Sequence, residues 1–592
     1  MARSGKGDYM GLPMRARGLL AAAFITLSAC SGPAPTPPPA APSTAAAAPA
    51  DPWLQFTAHF LEAYFKANPY FAVQAGRHEF DGQMPDLSVA GIAAQLTLLK
   101  RLRAEAQAFE AAALSAPERL EREQLYTAID SDLYWLEQAR MPFRSPVWYI
   151  EQLDPDVYLN RDYAPLAQRL HGYLGYARAI PKIAAAVRAN LKTPLPASFI
   201  QRGIDGFGGF ASFYRKDVGK VFAAVADPAA QQQLAAANAA AAQAMEGLKS
   251  WLEGERRHAT QDFALGEALF LQMLRTTERV DVPVAKLLEI GNADLERNTA
   301  ALKDACALYL PHGTLASCVR KMNADKAQGG AVEGARAQLA QLRAFVVAKN
   351  IVTIPSDEQA QVAEAPPYNR ANTAYINIPG PYEHGVAYVY NIAPPDPAWS
   401  AAERAAYVPG KASLLYTSVH EVWPGHFQQF LHSNRSPSKI AALWVGYAYA
   451  EGWAHYAEEL MWEEGLGEGD AESHVGQLVN ALERNVRYLC AIGLHTQGMS
   501  LADADRMFRE RAFLDAGTAR QQAARGTYDS QYLKYTLGKL MIRKLRADWV
   551  AQQPGAQDPK QYWHDFHDKF MSYTGPIPLI REAMVGAGGS LF

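Results

Sequence analysis

Thr417-Ser418-Val419-His420-Glu421-Val422-Trp423-Pro424-Gly425-His426-Phe427-Gln428-Gln429 reads as an apolar helix that ends in two histidines bracketing a glutamate. In the His-Glu-x-x-His arrangement of zinc hydrolysis, two histidines one turn apart share a helix face, with the glutamate beside them as general base. Here the second histidine follows six positions after the first. On an unbroken helix that spacing turns its side chain about 240° around the axis, away from its partner. Pro424 removes a helical hydrogen bond and clashes one turn back. Gly425 reaches backbone angles that other residues avoid. A kink or bulge at Pro424-Gly425 is therefore predicted to bring His426 back beside His420.

The surroundings of this stretch are helical. The chain has 592 residues, 49% hydrophobic and 20% charged, an ordinary globular balance. Its length implies one large multi-layer domain or two joined lobes, about 52–350 and 351–592. Long Ala/Leu/Glu/Arg runs favour helix. A net charge of −3 and an absence of basic tracts argue against a nucleic-acid partner.

Arg15 and Arg17, an apolar run over Leu19–Leu27, and Ser28-Ala29-Cys30 form a secretory signal over 1–29, too short to span a membrane. Leu27-Ser28-Ala29-Cys30 resembles the bacterial lipoprotein processing box, which implies a lipid anchor on Cys30. Ser31 after it points, by the same resemblance, to the periplasmic face of the outer membrane. Residues 30–51 are a Pro/Ala tether with nothing to bury. Cys306 and Cys318 either close a local loop in an oxidising compartment or stay as buried thiols. Cys490, in an apolar helical stretch, reads as an inert core thiol.

From Pro52 helical periods follow one another, including 89–112, 195–222, 228–252 and 283–305. Between 350 and 395 the pattern changes. Ile351–Ile354, Ala360–Ala363, Ala374–Ile378 and Val386–Ile392 are short β-type runs separated by Pro and Gly. They predict a small antiparallel sheet directly before the His420 helix. Helices then resume at 440–465, 472–500, 501–515 and 528–553.

A catalytic zinc takes three protein ligands and keeps one position open. The third ligand is sought in Tyr449-Ala450-Glu451-Gly452-Trp453-Ala454-His455-Tyr456-Ala457-Glu458, where helical spacing puts Glu451, His455 and Glu458 on one face. Acids and a histidine on an apolar helix are costly unless paired or metal-bound. Glu451 is the expected ligand, with His455 the alternative, and Glu458 or His455 is expected to orient a ligand from behind.

His420-Glu421-x-x-Pro424-Gly425-His426-x-x-Gln429, followed by Glu451-Gly452-Trp453-Ala454-x-Tyr456-Ala457-Glu458, resembles the bacterial domain-of-unknown-function family numbered eight hundred and eighty-five. The similarity runs over about 53–590 and includes Asn68-Pro69 and Gly76-x-His78-x-Phe80-Asp81. The resemblance implies a mostly α-helical, gluzincin-like zinc peptidase with a deep cleft. In such peptidases an edge strand before the metal helix pairs with the substrate backbone; the alternative is a purely structural sheet. Two later segments are similar to the family as well. Arg487–His495 makes His495 a substrate or transition-state contact, although Ala491 stands where the family usually has Asp. Tyr528–Gly538 makes Tyr535 the oxyanion donor, with Tyr532 and Tyr528 as alternatives. Phe427 replaces a histidine frequent in the family, which argues against a ligand there.

The expectation is Zn²⁺-dependent hydrolysis of short peptides in the cell envelope. His420, His426 and Glu451 hold the metal, Glu421 acts as base, and Tyr535 and His495 face the reacting carbonyl. The alternatives are a zinc amidase acting on cell-wall or other non-protein amides, and a catalytically silent envelope binding lipoprotein. The chain has no Gly-x-Ser-x-Gly elbow, which disfavours a serine hydrolase.

Overall fold

Trp53, Phe56, Phe60, Leu61, Tyr64 and Phe65 recur at helical spacing and are all buried on one side of the first helix, Pro52–Ala67. The same logic builds most of the chain. Helices Val89–Gln107, Leu166–Asn190, Ala197–Lys216, Pro228–Glu255, Val284–Tyr309 and Ala331–Ala348 follow. The structure, a computed structural model, describes residues 51–592 except Ala371, Ala556 and Gln557. The signal segment and the tether up to residue 50 lie outside the described residues.

Residues 51–592 form a single compact unit. Their buried apolar side chains gather in two clusters. One takes residues between Trp53 and Leu252, joined by Tyr368 and Ile440. The other takes residues between Phe263 and Ile580, joined by Tyr134, Ala139 and Phe199. The two clusters meet near residue 255, because Leu287–Val346 packs against the helices of the C-terminal half. Cys306 and Cys318 form a disulfide with Cα atoms 5.8 Å apart. Cys490 is a buried free thiol, and burial pushes its pKa up. Among the described residues no helix is long and apolar enough to cross a membrane.

The expected sheet exists, but it is mixed. Strands β1 (Ala360–Glu364), β2 (Ala374–Asn377) and β3 (Tyr388–Ile392) lie in the order β1-β3-β2. β1 pairs parallel with β3, and β2 pairs antiparallel with it. Ile351–Ile354 is not a strand. Its backbone is claimed by side chains instead: the Thr353 amide donates to Asp568 at 2.8 Å, and the Ile351 carbonyl accepts from His567 at 2.7 Å. The Thr353 carbonyl accepts from His432 and Gln428. With these groups satisfied, no ladder is needed.

Six helices follow the sheet and matter below. They are α1 (Lys411–Glu421), α2 (His426–Ser433), α3 (Tyr447–Glu463), α4 (Ala471–Thr496), α5 (Ala516–Tyr528) and α6 (Lys534–Ala551). The α3–α6 approach is unusually close. A Cβ added at Gly452 would lie 2.4 Å from the Gly538 Cα, so glycine at both positions lets the two backbones touch. That contact sets Tyr535, one turn before Gly538, beside Glu451, one residue before Gly452.

Candidate metal centre

The unbroken helix that would separate the two histidines does not form. α1 ends at Glu421, and α2 begins on His426. The connection folds back on the end of α1: the Gly425 amide donates to the Val419 carbonyl at 3.0 Å, and Gln428 N reaches Val422 O at 3.4 Å. The Trp423-Pro424 peptide is cis. Trp453 of α3 holds the turn from outside by donating from Nε1 to the Pro424 carbonyl at 2.8 Å. The demand for glycine at 425 is spatial. Its φ is −71°, but an added Cβ would sit 1.8 Å from the His420 carbonyl oxygen. This break places the His420 and His426 rings 4.8 Å apart, nearly perpendicular.

Glu451 on α3 reaches both rings. Its Oε2 lies 3.3 Å from His420 Nε2 and 3.2 Å from His426 Nε2. Among the described residues these three are the group whose ligand atoms converge, all within 4.8 Å of one another. A tetrahedral ion with bonds of roughly 2.0–2.2 Å sets its ligand atoms roughly 3.3–3.6 Å apart. The two nitrogen–oxygen separations lie at or just below the short end of that range, and two histidines with one carboxylate are a zinc-type donor set.

Hydrogen bonding strengthens the fit. His420 Nδ1 donates to Glu458 Oε1 at 2.8 Å, which leaves the Nε2 lone pair aimed at Glu451. Two acceptors at that distance need a cation or a proton between them. Without a cation, burial pulls the His420 pKa down, but hydrogen bonds to Glu451 and Glu458 outweigh it and raise it to about 9. Burial would raise Glu451, yet His426 and His420 hold it well below the usual carboxylate range. Glu458 is fully buried, and Arg484 Nη2 lies 3.5 Å from the oxygen that faces His420. Burial opposes its ionisation, while Arg484 and His420 lower its pKa and keep it charged.

Glu458 is thus the residue behind His420, and His455 is not among the converging groups. The His455 ring is fully buried, 3.6 Å from Glu458, with neither nitrogen hydrogen-bonded among the described residues. Burial, helped by Lys539, lowers its pKa to about 4.

The triad opens into a cavity of about 470 Å³. Glu421, Tyr447, Tyr535, Arg484, Arg487 and Arg525 line it, and the edge strand β2 forms one wall. Burial, with Glu451 nearby, raises the Glu421 pKa against the opposing effect of the histidines. The Tyr535 ring stacks over His420 at 5.9 Å with a 16° tilt. Burial and Glu451 push its phenol up to about 12, so the hydroxyl stays protonated and able to donate. Tyr528 lines a different cavity, and Tyr532 is buried with its hydroxyl unbonded among the described residues. Of the three tyrosines, Tyr535 faces the triad.

His495 does not. Its Nδ1 accepts from the Leu265 amide at 3.2 Å, and its Nε2 donates to the Gly526 carbonyl at 2.8 Å. With both nitrogens committed to backbone and its ring against Phe270 and Phe263, it joins the helices and does not line the cavity. Tyr447 and the arginines of α4 and α5 are cavity residues that the sequence analysis did not single out. Tyr447 had a readable signal: it precedes Glu451 by four positions and shares its face.

Two solved structures share the fold. One, from Shewanella oneidensis, is described as a "putative lipoprotein of unknown function". It is 24% identical, with a TM-score of 0.73, and 90% of this chain is matched to 100% of that one. The other, described as a "putative lipoprotein" from Colwellia psychrerythraea, is 18% identical with a TM-score of 0.74, 90% of this chain being matched to 98% of that one. No curated protein matches the chain. The family described as "Bacterial protein of unknown function (DUF885)" matches residues 69–583, nearly the whole described chain. The protein is therefore a member of the DUF885 family.

Proposed function

We propose that this protein is a zinc-dependent peptidase of the cell envelope, acting on short peptides. One observation carries the reading: His420, His426 and Glu451 converge at metal-ligand spacing, with Glu421 and Tyr535 lining the same cavity. A zinc ion bound by the three residues would supply Lewis-acid polarisation of a carbonyl and acidification of a water. Glu421, adjacent to His420 and raised in pKa, takes a proton from the attacking water and passes it to the leaving nitrogen. Tyr535 donates its hydroxyl proton in a hydrogen bond to the oxyanion that forms on the carbonyl. Glu458 holds the His420 ring in one tautomer through Nδ1. β2, an edge strand on the cavity wall, offers backbone groups for an extended peptide to pair with.

Support for the envelope location comes from the signal-like segment ending at Cys30 and from structural neighbours described as lipoproteins. The test is metal analysis together with turnover. The purified chain should hold one zinc per molecule and cleave peptides. Glu421→Gln should keep the zinc and lose most turnover. A chain that binds no zinc, or a Glu421→Gln variant as fast as the parent, refutes the proposal.

A further inference from the structure

Two buried arginines of α4 line the cavity together with the triad. Asn480, Glu483, Arg484 and Arg487 fall at successive turns of α4, and all four line the cavity. Both guanidiniums are buried, Arg484 at 7% exposure and Arg487 at 6%. Each has a carboxylate beside it: Arg487 Nη2 donates to Glu483 Oε1 at 2.6 Å, and Arg484 has Glu458 as its nearer partner, its Nη1 lying 3.9 Å from Glu483 Oε2. Arg487 Nε donates to Gln522 at 2.9 Å, and its Nη1 makes no hydrogen bond to any described residue. Arg484 Nη1 donates to the Asn480 carbonyl, Nη2 is 3.5 Å from Glu458, and its buried Nε has no partner among the described residues. Arg525 has fewer donors left, because Asp529 takes Nε and Nη2 and Asn372 takes Nη1.

A buried guanidinium with unused donors is costly in an apolar wall, and a planar fork facing a cavity matches a carboxylate. Its place relative to the triad is set by Tyr535. The Arg487 guanidinium lies 5.1 Å from the Tyr535 ring centre, and that ring lies 5.9 Å from the His420 ring. The guanidinium is therefore at most about three extended residues from His420.

We propose that Arg487, assisted by Arg484, receives a free carboxylate of the substrate, so that peptides are cut within about three residues of their C-terminus. This rests on the peptidase reading and adds the end from which the substrate is read. A C-terminal carboxylate and an acidic side chain share the same chemistry, and the test separates them.

The experiment uses the zinc-loaded full chain and N-acetylated hexapeptides of mixed sequence lacking Asp and Glu, each as free acid and as C-terminal amide. Mass spectrometry locates the cuts. Free acids should be cleaved with kcat/KM roughly 10-fold or more above the amides, the scale of a charge-assisted hydrogen bond, with cuts in the last three residues. Arg487→Met should bring the acid-to-amide ratio towards one, mainly through KM, and Arg487→Lys should fall between. Equal cleavage of acid and amide overturns the proposal and leaves peptide hydrolysis standing. Restoration of cleavage in amides by an internal Asp or Glu would move the recognised carboxylate to a side chain and overturn the C-terminal assignment. If neither form is cleaved, calorimetric binding of the two forms to Glu421→Gln decides. Preferential binding of the free acid supports carboxylate recognition while the peptidase reading falls, and equal or absent binding overturns both.

Discussion

Gly425→Ala tests whether the break between α1 and α2 is what makes the proposed metal site out of a histidine pair spaced six apart. The added methyl would meet the His420 carbonyl oxygen at 1.8 Å and the Val419 carbonyl oxygen at 2.4 Å. Carbon–oxygen contacts relax only near about 3.3 Å, so the turn has to open by about 1.5 Å. Ligand positions tolerate only about ±0.2 Å around a bound metal. His426 begins α2 immediately after the altered residue, so it moves with the turn and away from His420 and Glu451. Loss of a partner behind a ligand costs about 10–100-fold in affinity, and loss of the ligand itself should exceed that. The expected result is zinc affinity lowered by more than about 100-fold, read by chelator competition, with stability lowered by at least the ~1–3 kcal/mol typical of overpacking. Gly247→Ala is the control: it lies inside Pro228–Glu255 with open space around its Cβ, and should stabilise by about 0.5–1 kcal/mol. Equimolar zinc at parental affinity in Gly425→Ala would refute the argument that this break builds the site.

Three further outcomes follow from the geometry. Glu458→Gln keeps the side-chain shape but removes the charge that faces His420 and Arg484, and should weaken zinc binding by about 10–100-fold with the fold retained by circular dichroism. His495→Ala should leave zinc content at the parental level while lowering unfolding stability by about 1–3 kcal/mol, because the Leu265 amide and Gly526 carbonyl lose their partners; unchanged denaturant stability would contradict the structural role assigned here. His78, stacked on Tyr163 and paired with Asp81 and Glu383, has its pKa raised to about 9 by these carboxylates in spite of burial. Its folded value lies above its unfolded one, so its stabilising contribution is complete below pH ~6.5 and disappears as pH rises through about 9. Denaturation midpoints measured between those limits should fall with pH, and His78→Gln should flatten the slope.

Much of the candidate site is a property of short stretches of chain. His420, Glu421 and His426 sit within seven residues, Glu451 and Glu458 share one helix face, and Pro424-Gly425 marks the break, so each is legible from period and spacing. The helical content and the strands β1 to β3 follow from the same local patterning, whereas the break at Trp444–Gly446 within the expected 440–465 helix does not. Tertiary contacts decided the rest. Whether Ile351–Ile354 becomes a strand depends on Asp568, Gln428, His432 and His567, residues far along the chain that claim its backbone. Parallel or antiparallel pairing of β1 depends on which side of β3 is free, information that no strand carries in its own residues. His495 and Arg487 occupy one helix, yet the first turns to Leu265 and Gly526 while the second meets Tyr535. Helical period assigns residues to faces, but only packing decides which face meets the cavity. Gly425 shows both levels. Its presence beside Pro424 signals a break in the helix, while the need for glycine itself comes from the His420 carbonyl, which the refolded turn brings to within less than a methyl group's reach.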